Sequence, residues 1–207
     1  MMTRDACVYV VDDDASVRKA TARLLRSVGF KVTTFESADA FLEYPTSDVP
    51  ACLILDLEMP GRGGIDLQVE LTHREIELPI VFMTGHGDIP TTVTALKQGA
   101  VDFLPKPVDD QRLIEVVQQA IESSSLEREL KSGVKEFKQK LSLPTKRERE
   151  VMMLVIEGLL NKQIATRLGV TEATVKVHRG RMMEKTGVDS VAELVRRCER
   201  GGVTSAN

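Results

Sequence analysis

ACLILDLEMPGRGG, residues 51–64, opens on an apolar run, closes that run on Asp56 and then turns through Pro60 and three glycines. A short apolar run bounded by turn residues reads as a strand covered on both faces. Ala51–Leu55 is therefore expected as a strand, Gly61–Gly64 as a loop, and the stretch to about Arg74 as a helix. The same grammar repeats on both sides of this stretch. Cys7–Val11, Lys31–Phe35, Pro79–Met83 and Val101–Leu104 are strand-like. Between them, Ser16–Val28 is helix-like and stops at Gly29, and Ser37 caps a short helix that runs to Leu42 before Pro45. Thr91–Gln98 forms a further helix before Gly99, and a last one begins near Asp109. Five strands, each followed by a helix, predict an α/β fold: a doubly wound (βα)5 parallel sheet with helices on both faces.

In such a sheet, sites form beyond the carboxyl ends of the strands. Asp12 and Asp13 follow the first strand, Asp56 ends the third, Thr84 ends the fourth and Lys106 follows the fifth. All five are expected on one edge. Three carboxylates together repel each other and call for a cation. Oxygen-only ligands suit a hard ion such as Mg²⁺. Carboxylates can act as phosphoryl acceptors. Lysine supplies a point charge to a phosphate oxygen, and threonine supplies a hydroxyl donor. A phosphatase with an aspartyl nucleophile uses similar groups, but it wants a second aspartate two residues on, where Glu58 stands. An adaptor that lacks phosphoryl chemistry would not need the full set.

These pieces, VVDDD at 10–14, LDLEMPGRGG at 55–64, FMTGHGD at 82–88 and FLPKP at 103–107, resemble the receiver domain of bacterial response regulators over residues 5–122. The resemblance implies that Asp56 is the phosphoacceptor. It implies Mg²⁺ (or Mn²⁺) at Asp13 and Asp56, with Asp12 near or through water, and with the backbone carbonyl of Glu58 as a further ligand. Thr84 and Phe103 would be the switch pair, Lys106 would meet the phosphate, and the Lys106–Pro107 bond would be cis. Glu58 and His86 would flank the phosphoryl group.

From Ser123 the composition changes. Leu126, Leu130, Val134, Phe137 and Leu141 fall on one helical stripe between charged faces, predicting a connector helix, with Gly133 weakening it. Charge changes too. Residues 1–121 carry 11 basic and 19 acidic side chains, a net −8; residues 122–143 carry +1 and residues 144–207 carry +4, within a total of −3. A basic C-terminal third has the sign wanted for a polyanion.

After Pro144, Thr145 and Glu148 fit a capping box, and Gly158, Gly169 and the Thr171/Thr174 pair punctuate four short helices. A glycine turn between the second and third is helix-turn-helix grammar. LPTKREREVMMLVIEGLLNKQIATRLGV and TEATVKVHRGRMMEKTGV carry a resemblance over residues 142–198 to the LuxR-type helix-turn-helix, most closely in the FixJ subfamily. In the third of these helices, Thr171 and Thr174 suit phosphate contacts, Val175 a thymine methyl, and Lys176, His178 and Arg179 base edges or phosphates. Lys162 and Arg167 suit the DNA backbone. Gly180, Thr186 and Leu160 depart from the usual pattern. RNA is a weaker target, because its deep major groove does not admit a helix.

The expected organisation is a receiver over 1–122, a helical linker over 123–143 and an all-α four-helix DNA-binding domain over 144–207. The expected partners are a sensor histidine kinase, double-stranded promoter DNA, RNA polymerase and a second copy of the chain on phosphorylation. The sequence has no apolar run long enough to span a membrane and no signal-peptide pattern at its start. Its three widely spaced cysteines, Cys7, Cys52 and Cys198, read as reduced thiols. Together these features predict a cytoplasmic protein without membrane contact.

Overall fold

The computed structural model describes residues 6–85, 95–97 and 99–203. Five parallel strands form one sheet: β1 (Cys7–Val11), β2 (Lys31–Phe35), β3 (Ala51–Asp56), β4 (Ile80–Thr84) and β5 (Asp102–Pro105). Their order is β2-β1-β3-β4-β5. The doubly wound fold is as expected, with β4 and β5 each one residue later than the sequence suggests. Helices α1 (Ala15–Ser27), α2 (Ala38–Leu42) and α3 (Gly64–His73) follow the first three strands, and α4 (Asp110–Lys140) follows the fifth. The expected helix over Thr91–Gln98 lies mostly outside the described residues; 95–97 are helical.

Side chains alternate across each strand, so the sheet has two cores. Val8, Val10, Cys52, Ile54, Val81 and Met83 pack with Leu25 of α1 and with Leu113, Val116 and Val117 of α4. Tyr9, Val11, Leu53, Leu55 and Phe82 face the other way, onto Phe41 of α2 and Leu67 and Leu71 of α3. Burial pushes the Cys52 thiol up to about 12, so it is a packing group and not a reactive one. The asparagine-free start of α1 is capped by Asp14, whose carboxylate accepts from the Ser16 and Val17 amides.

The chain divides into two compact units, Met1–Arg128 and Glu129–Asn207. α4 is one helix of 31 residues and contains the division. The composition change at Ser123 does not interrupt it, because serine there is compatible with helix and Ser124 accepts a hydrogen bond from the Ala51 amide at 3.2 Å. The expected apolar stripe does not bury as one face. Leu126 and Leu130 are 60% and 51% exposed, whereas Phe137 is buried in the core of the second unit. The Arg197 guanidinium sits 5.7 Å from the Phe137 ring centroid.

The second unit has four further helices: α5 (Lys146–Ile156), α6 (Asn161–Leu168), α7 (Glu172–Thr186) and α8 (Val191–Arg200). The capping box at α5 is present: the Glu148 amide donates to Thr145 Oγ1 at 3.3 Å, and the Thr145 amide donates to Glu148 Oε2 at 2.8 Å. Leu160 offers no cap, and Gln163 Oε1 instead accepts its amide at 2.8 Å. Gly169 turns from α6 to α7 at φ 65, a left-handed conformation that glycine adopts without steric cost. Thr171, and not Thr174, caps α7.

Glu148 is buried, and its carboxylate takes a 2.6 Å ion pair from Lys185 of α7. That bond, then the Thr145 amide, holds the Glu148 carboxyl down to about 2. A carboxyl depressed by folding stabilises fully above its unfolded value near 4.5, and this contribution is lost as pH falls through about 2. Wild type should therefore melt above Glu148→Gln at neutral pH, and the gap should narrow between pH 5 and 3. Thermal melts of both proteins across that range check it; a gap that widens on acidification contradicts it.

Candidate functional site

Register alone brings the strand-end residues together. Val11 pairs with Leu55, so Asp12 emerges beside Asp56 on neighbouring strands. Asp56 pairs with Met83, and Thr84 pairs with Pro105, which places Lys106 next on the same edge. Asp12, Asp56 and Thr84 are buried and Asp13 is exposed. Lys106 Nζ donates to Asp12 Oδ2 at 2.7 Å and lies 2.9 Å from Asp56 Oδ2. The Lys106 amide donates to the Thr84 carbonyl at 2.7 Å, which ties β5 to β4 just before the lysine. The Lys106–Pro107 peptide is cis, as the resemblance implies.

Asp12 Oδ1 accepts from the Asp14 amide at 2.8 Å, and Asp56 Oδ1 from the Glu58 amide at 3.4 Å. The Asp12 carbonyl accepts from Arg18 Nη1 at 2.6 Å, a contact that nothing in the sequence pattern announces. Burial raises the Asp56 pKa above the ordinary carboxylate value; the Lys106 hydrogen bond and charge oppose this, and the Asp12 charge adds to it. Burial also works against the Lys106 ammonium, but hydrogen bonds and charge from Asp12 and Asp56 outweigh it and the pKa is raised. The Lys106 ammonium therefore sits against the carboxylates of Asp12 and Asp56, and the Arg18 guanidinium against the Asp12 carbonyl.

Asp12, Asp13 and Asp56 each offer a carboxylate oxygen, all within 4.8 Å of one another. Hard, oxygen-only donors at this spacing fit Mg²⁺, which takes one or two carboxylates and keeps water in its remaining positions. Phe103 is half-buried, with its ring 6.1 Å from that of Phe82. His86 lies outside the described residues. Beneath the site, α3 begins at Gly64, where a Cβ would stand 2.4 Å from the Asp56 carbonyl oxygen. Only glycine fits such an approach, and its signal in the sequence was no more than a turn.

In the second unit, α7 exposes Lys176, Val177, Gly180 and Arg181. The expected role of Val175 is corrected: it is fully buried in the core of this unit and cannot meet a base. Val177 is a large apolar residue that α7 does expose, at 51%. The two differ by two residues, about 200° around a helix, and the sequence alone does not fix which side faces in. Thr186, also buried, donates its hydroxyl to the Met182 carbonyl at 2.8 Å. Arg179 is half-buried and donates to Asn161 Oδ1 at 3.0 Å, joining α7 to α6. His178 is half-buried and its Nδ1 is buried. Thr171, Lys162 and Arg167 are exposed, and Thr174 is half-buried. Arg167 pairs with Glu157 at 3.1 Å.

The model of the response regulator receiver domain matches residues 8–118, and that of bacterial regulatory proteins of the luxR family matches residues 142–198. Nodulation protein W of Bradyrhizobium diazoefficiens is 46% identical over 200 residues, covering 97% of this chain and 88% of that protein. The transcriptional regulatory protein FixJ of the same species is 39% identical over 202 residues, covering 98% of each. Among solved structures, the response regulator StyR is 47% identical with a TM-score of 0.81, covering 94% of this chain and 98% of StyR. Two matched domains in one order, shared nearly end to end with FixJ, place this chain among the two-component response regulators: it is a FixJ-type transcription regulator with a receiver domain and a LuxR-type helix-turn-helix DNA-binding domain.

Proposed function

We propose that Asp56 accepts a phosphoryl group from a phosphohistidine of a sensor histidine kinase, and that the phosphorylated chain dimerises and binds promoter DNA. The observation that carries the first half is the Lys106 ammonium held between Asp12 and Asp56, at 2.7 and 2.9 Å. An oxygen of the Asp56 carboxylate forms the new P–O bond as the P–N bond to the kinase histidine breaks, and the imidazole nitrogen takes the electron pair. Asp12, Asp13, Asp56 and the Glu58 carbonyl are the groups assigned to hold Mg²⁺ or Mn²⁺, which when bound neutralises charge on the phosphoryl oxygens. Lys106 then turns its charge to a phosphoryl oxygen and the Thr84 hydroxyl donates to another, so the protein's part is positioning and electrostatics. Thr84 and Phe103 form the switch pair.

The functional division is a receiver over 1–122, a helical connector over 123–143 and a DNA-binding domain over 144–207. Phe137 of the connector completes the second unit's core. On DNA, Thr171 and Thr174 at the start of α7 and Lys162 of α6 serve the phosphates, and Lys176, His178 and Arg179 reach base edges or phosphates. The chain acts in the cytoplasm, with RNA polymerase as a partner at promoters; no described helix is long and apolar enough to cross a membrane.

Acetyl phosphate with Mg²⁺ should add one acid-labile phosphoryl group per chain, read by intact mass. Chelation should suppress the adduct because it removes the ion, and Asp13→Ala should suppress it because the ion loses a protein ligand. Labelling at full level under chelation would contradict the assignment.

A further inference from the structure

Asp12 is bonded through each of its polar groups. Its amide donates to the Phe35 carbonyl of β2 at 3.3 Å. Its Oδ1 accepts from the Asp14 amide at 2.8 Å, and its Oδ2 from Lys106 Nζ at 2.7 Å. These three fasten the end of β1 or hold the carboxylate in the site. The fourth bond has another source: the Asp12 carbonyl accepts from Arg18 Nη1 at 2.6 Å. Arg18 stands in α1, half-buried, and reaches back across the β1–α1 turn to a main-chain oxygen. With an ionised donor, this is the shorter and stronger kind of hydrogen bond.

The carbonyl belongs to the peptide unit that joins Asp12 to Asp13. A peptide unit is planar, so an anchor on its oxygen also sets the Asp13 nitrogen and Cα. Asp13 is exposed, whereas Asp12 and Asp56 are buried. Its carboxylate still offers an oxygen within 4.8 Å of those of the other two. Like charges so close repel, and the exposed member has the most room to swing away. Arg18 opposes that through the backbone. Because the guanidinium bonds the carbonyl, this contact takes up no carboxylate oxygen assigned to the ion.

We propose that Arg18 is a positioning residue for the cation site: it fixes the Asp12–Asp13 peptide so that the Asp13 carboxylate meets the ion. This rests on the assignment of Asp12, Asp13 and Asp56 to Mg²⁺ or Mn²⁺. Arg18 has two effects of opposite sign. Its positive charge beside the cluster repels a cation, and its hold on the peptide prepares a ligand for one. The field of a half-exposed guanidinium is screened by water and salt, whereas a carboxylate that points elsewhere is lost as a ligand, so the second effect prevails. Arg18 touches neither the ion nor the phosphoryl group. It lowers the ion concentration that the site needs and leaves the chemistry of the loaded site alone.

Calorimetric titration of the unphosphorylated full chain with Mg²⁺ alone is the first test. Arg18→Met keeps an unbranched side chain and removes the donors and the charge. It should raise the Mg²⁺ dissociation constant about tenfold or more, the cost of losing a group that orients a ligand. Arg18→Gln, a shorter polar side chain that suits a helix, should do the same and keeps the test open if the methionine variant misfolds. Lys19→Met removes an exposed charge from the next residue of α1 and should bind Mg²⁺ no more weakly than the wild type. With acetyl phosphate, both Arg18 variants should need about tenfold more Mg²⁺ for half-maximal labelling, yet label at a rate near the wild type once the ion saturates. A merely structural role would lower the melting temperature and leave the ion affinity of the folded protein unchanged. Arg18 variants that bind Mg²⁺ as tightly as the wild type, or more tightly, would overturn the proposal and leave the cation site and Asp56 in place. Equal weakening by Lys19→Met would do the same. A wild-type chain that binds no Mg²⁺ would overturn both the proposal and the cation assignment.

Discussion

Asp56→Asn should fold as well as the wild type and take up no phosphoryl group from acetyl phosphate and Mg²⁺. The substitution keeps the shape of the side chain and an oxygen that can accept from Lys106. It removes the nucleophile, since an amide oxygen does not form a stable acyl phosphate. It removes a charge that favours the Lys106 ammonium but that burial disfavours at Asp56 itself. Burial raises the Asp56 pKa, which means that folding disfavours the ionised carboxyl, and a neutral amide relieves that cost. Two measurements separate the outcomes: intact mass after labelling, and thermal unfolding of the unlabelled protein. An adduct at the wild-type level would reassign the acceptor. A collapse in stability would show that the lost labelling reports unfolding.

Gly64→Ala should do the reverse, with lower stability and impaired labelling together. The new methyl would stand 2.4 Å from the Asp56 carbonyl oxygen, 3.0 Å from Phe82 Cε1 and 3.1 Å from Leu57 Cα. Two of these three are backbone atoms of the segment that carries Asp56, so they cannot swing aside as a flexible side chain can. Either α3 lifts from the sheet or the end of β3 shifts. Overpacking of a tight interior costs about 1–3 kcal/mol. Gly63→Ala is the control, because its methyl would meet the Leu57 carbonyl oxygen at 3.5 Å and Asp66 Oδ2 at 3.7 Å, ordinary contact distances. Denaturant unfolding and the labelling rate of both variants check this. Equal behaviour at the two positions would mean that the β3–α3 turn is not what holds Asp56 in place.

The contrast between these two positions shows what a sequence makes legible. Asp56 is visible because an apolar run stops on a carboxylate, and the strand-end rule then draws Asp12, Thr84 and Lys106 to it without coordinates. Gly64 is not, because a glycine needed for a 2.4 Å approach reads the same as a glycine in a loop. The second unit repeats the point. The order of its helices follows from Gly158, Gly169 and the Thr145–Glu148 box, all local signals. Whether Val175 or Val177 faces the core depends on how α7 sits against its neighbours, and both carry the same side chain. The connector fails for a related reason. Leu126 and Phe137 share a helical stripe, but burial is decided by what each end of α4 packs on: Phe137 finds a core and Leu126 is 60% exposed.

In the function proposed above, chemistry at Asp56 controls DNA binding by α7. A phosphoryl group adds about −1.5 to −2 charges at a site where Lys106 and Thr84 can reorient toward it. Phosphorylation changes the output only if the two states of the receiver differ in free energy of assembly or of DNA binding. The direct measurement is affinity of the full chain for a selected duplex, with and without acetyl phosphate and Mg²⁺, in wild type and Asp56→Asn, alongside sedimentation of each sample. Phosphorylated wild type should sediment as a dimer and bind about tenfold tighter or more, because two linked helices engage two half-sites, and Asp56→Asn should show neither change. A phosphorylated wild type that stays monomeric and binds no better than the unmodified chain would contradict the account, even with Asp56 fully labelled.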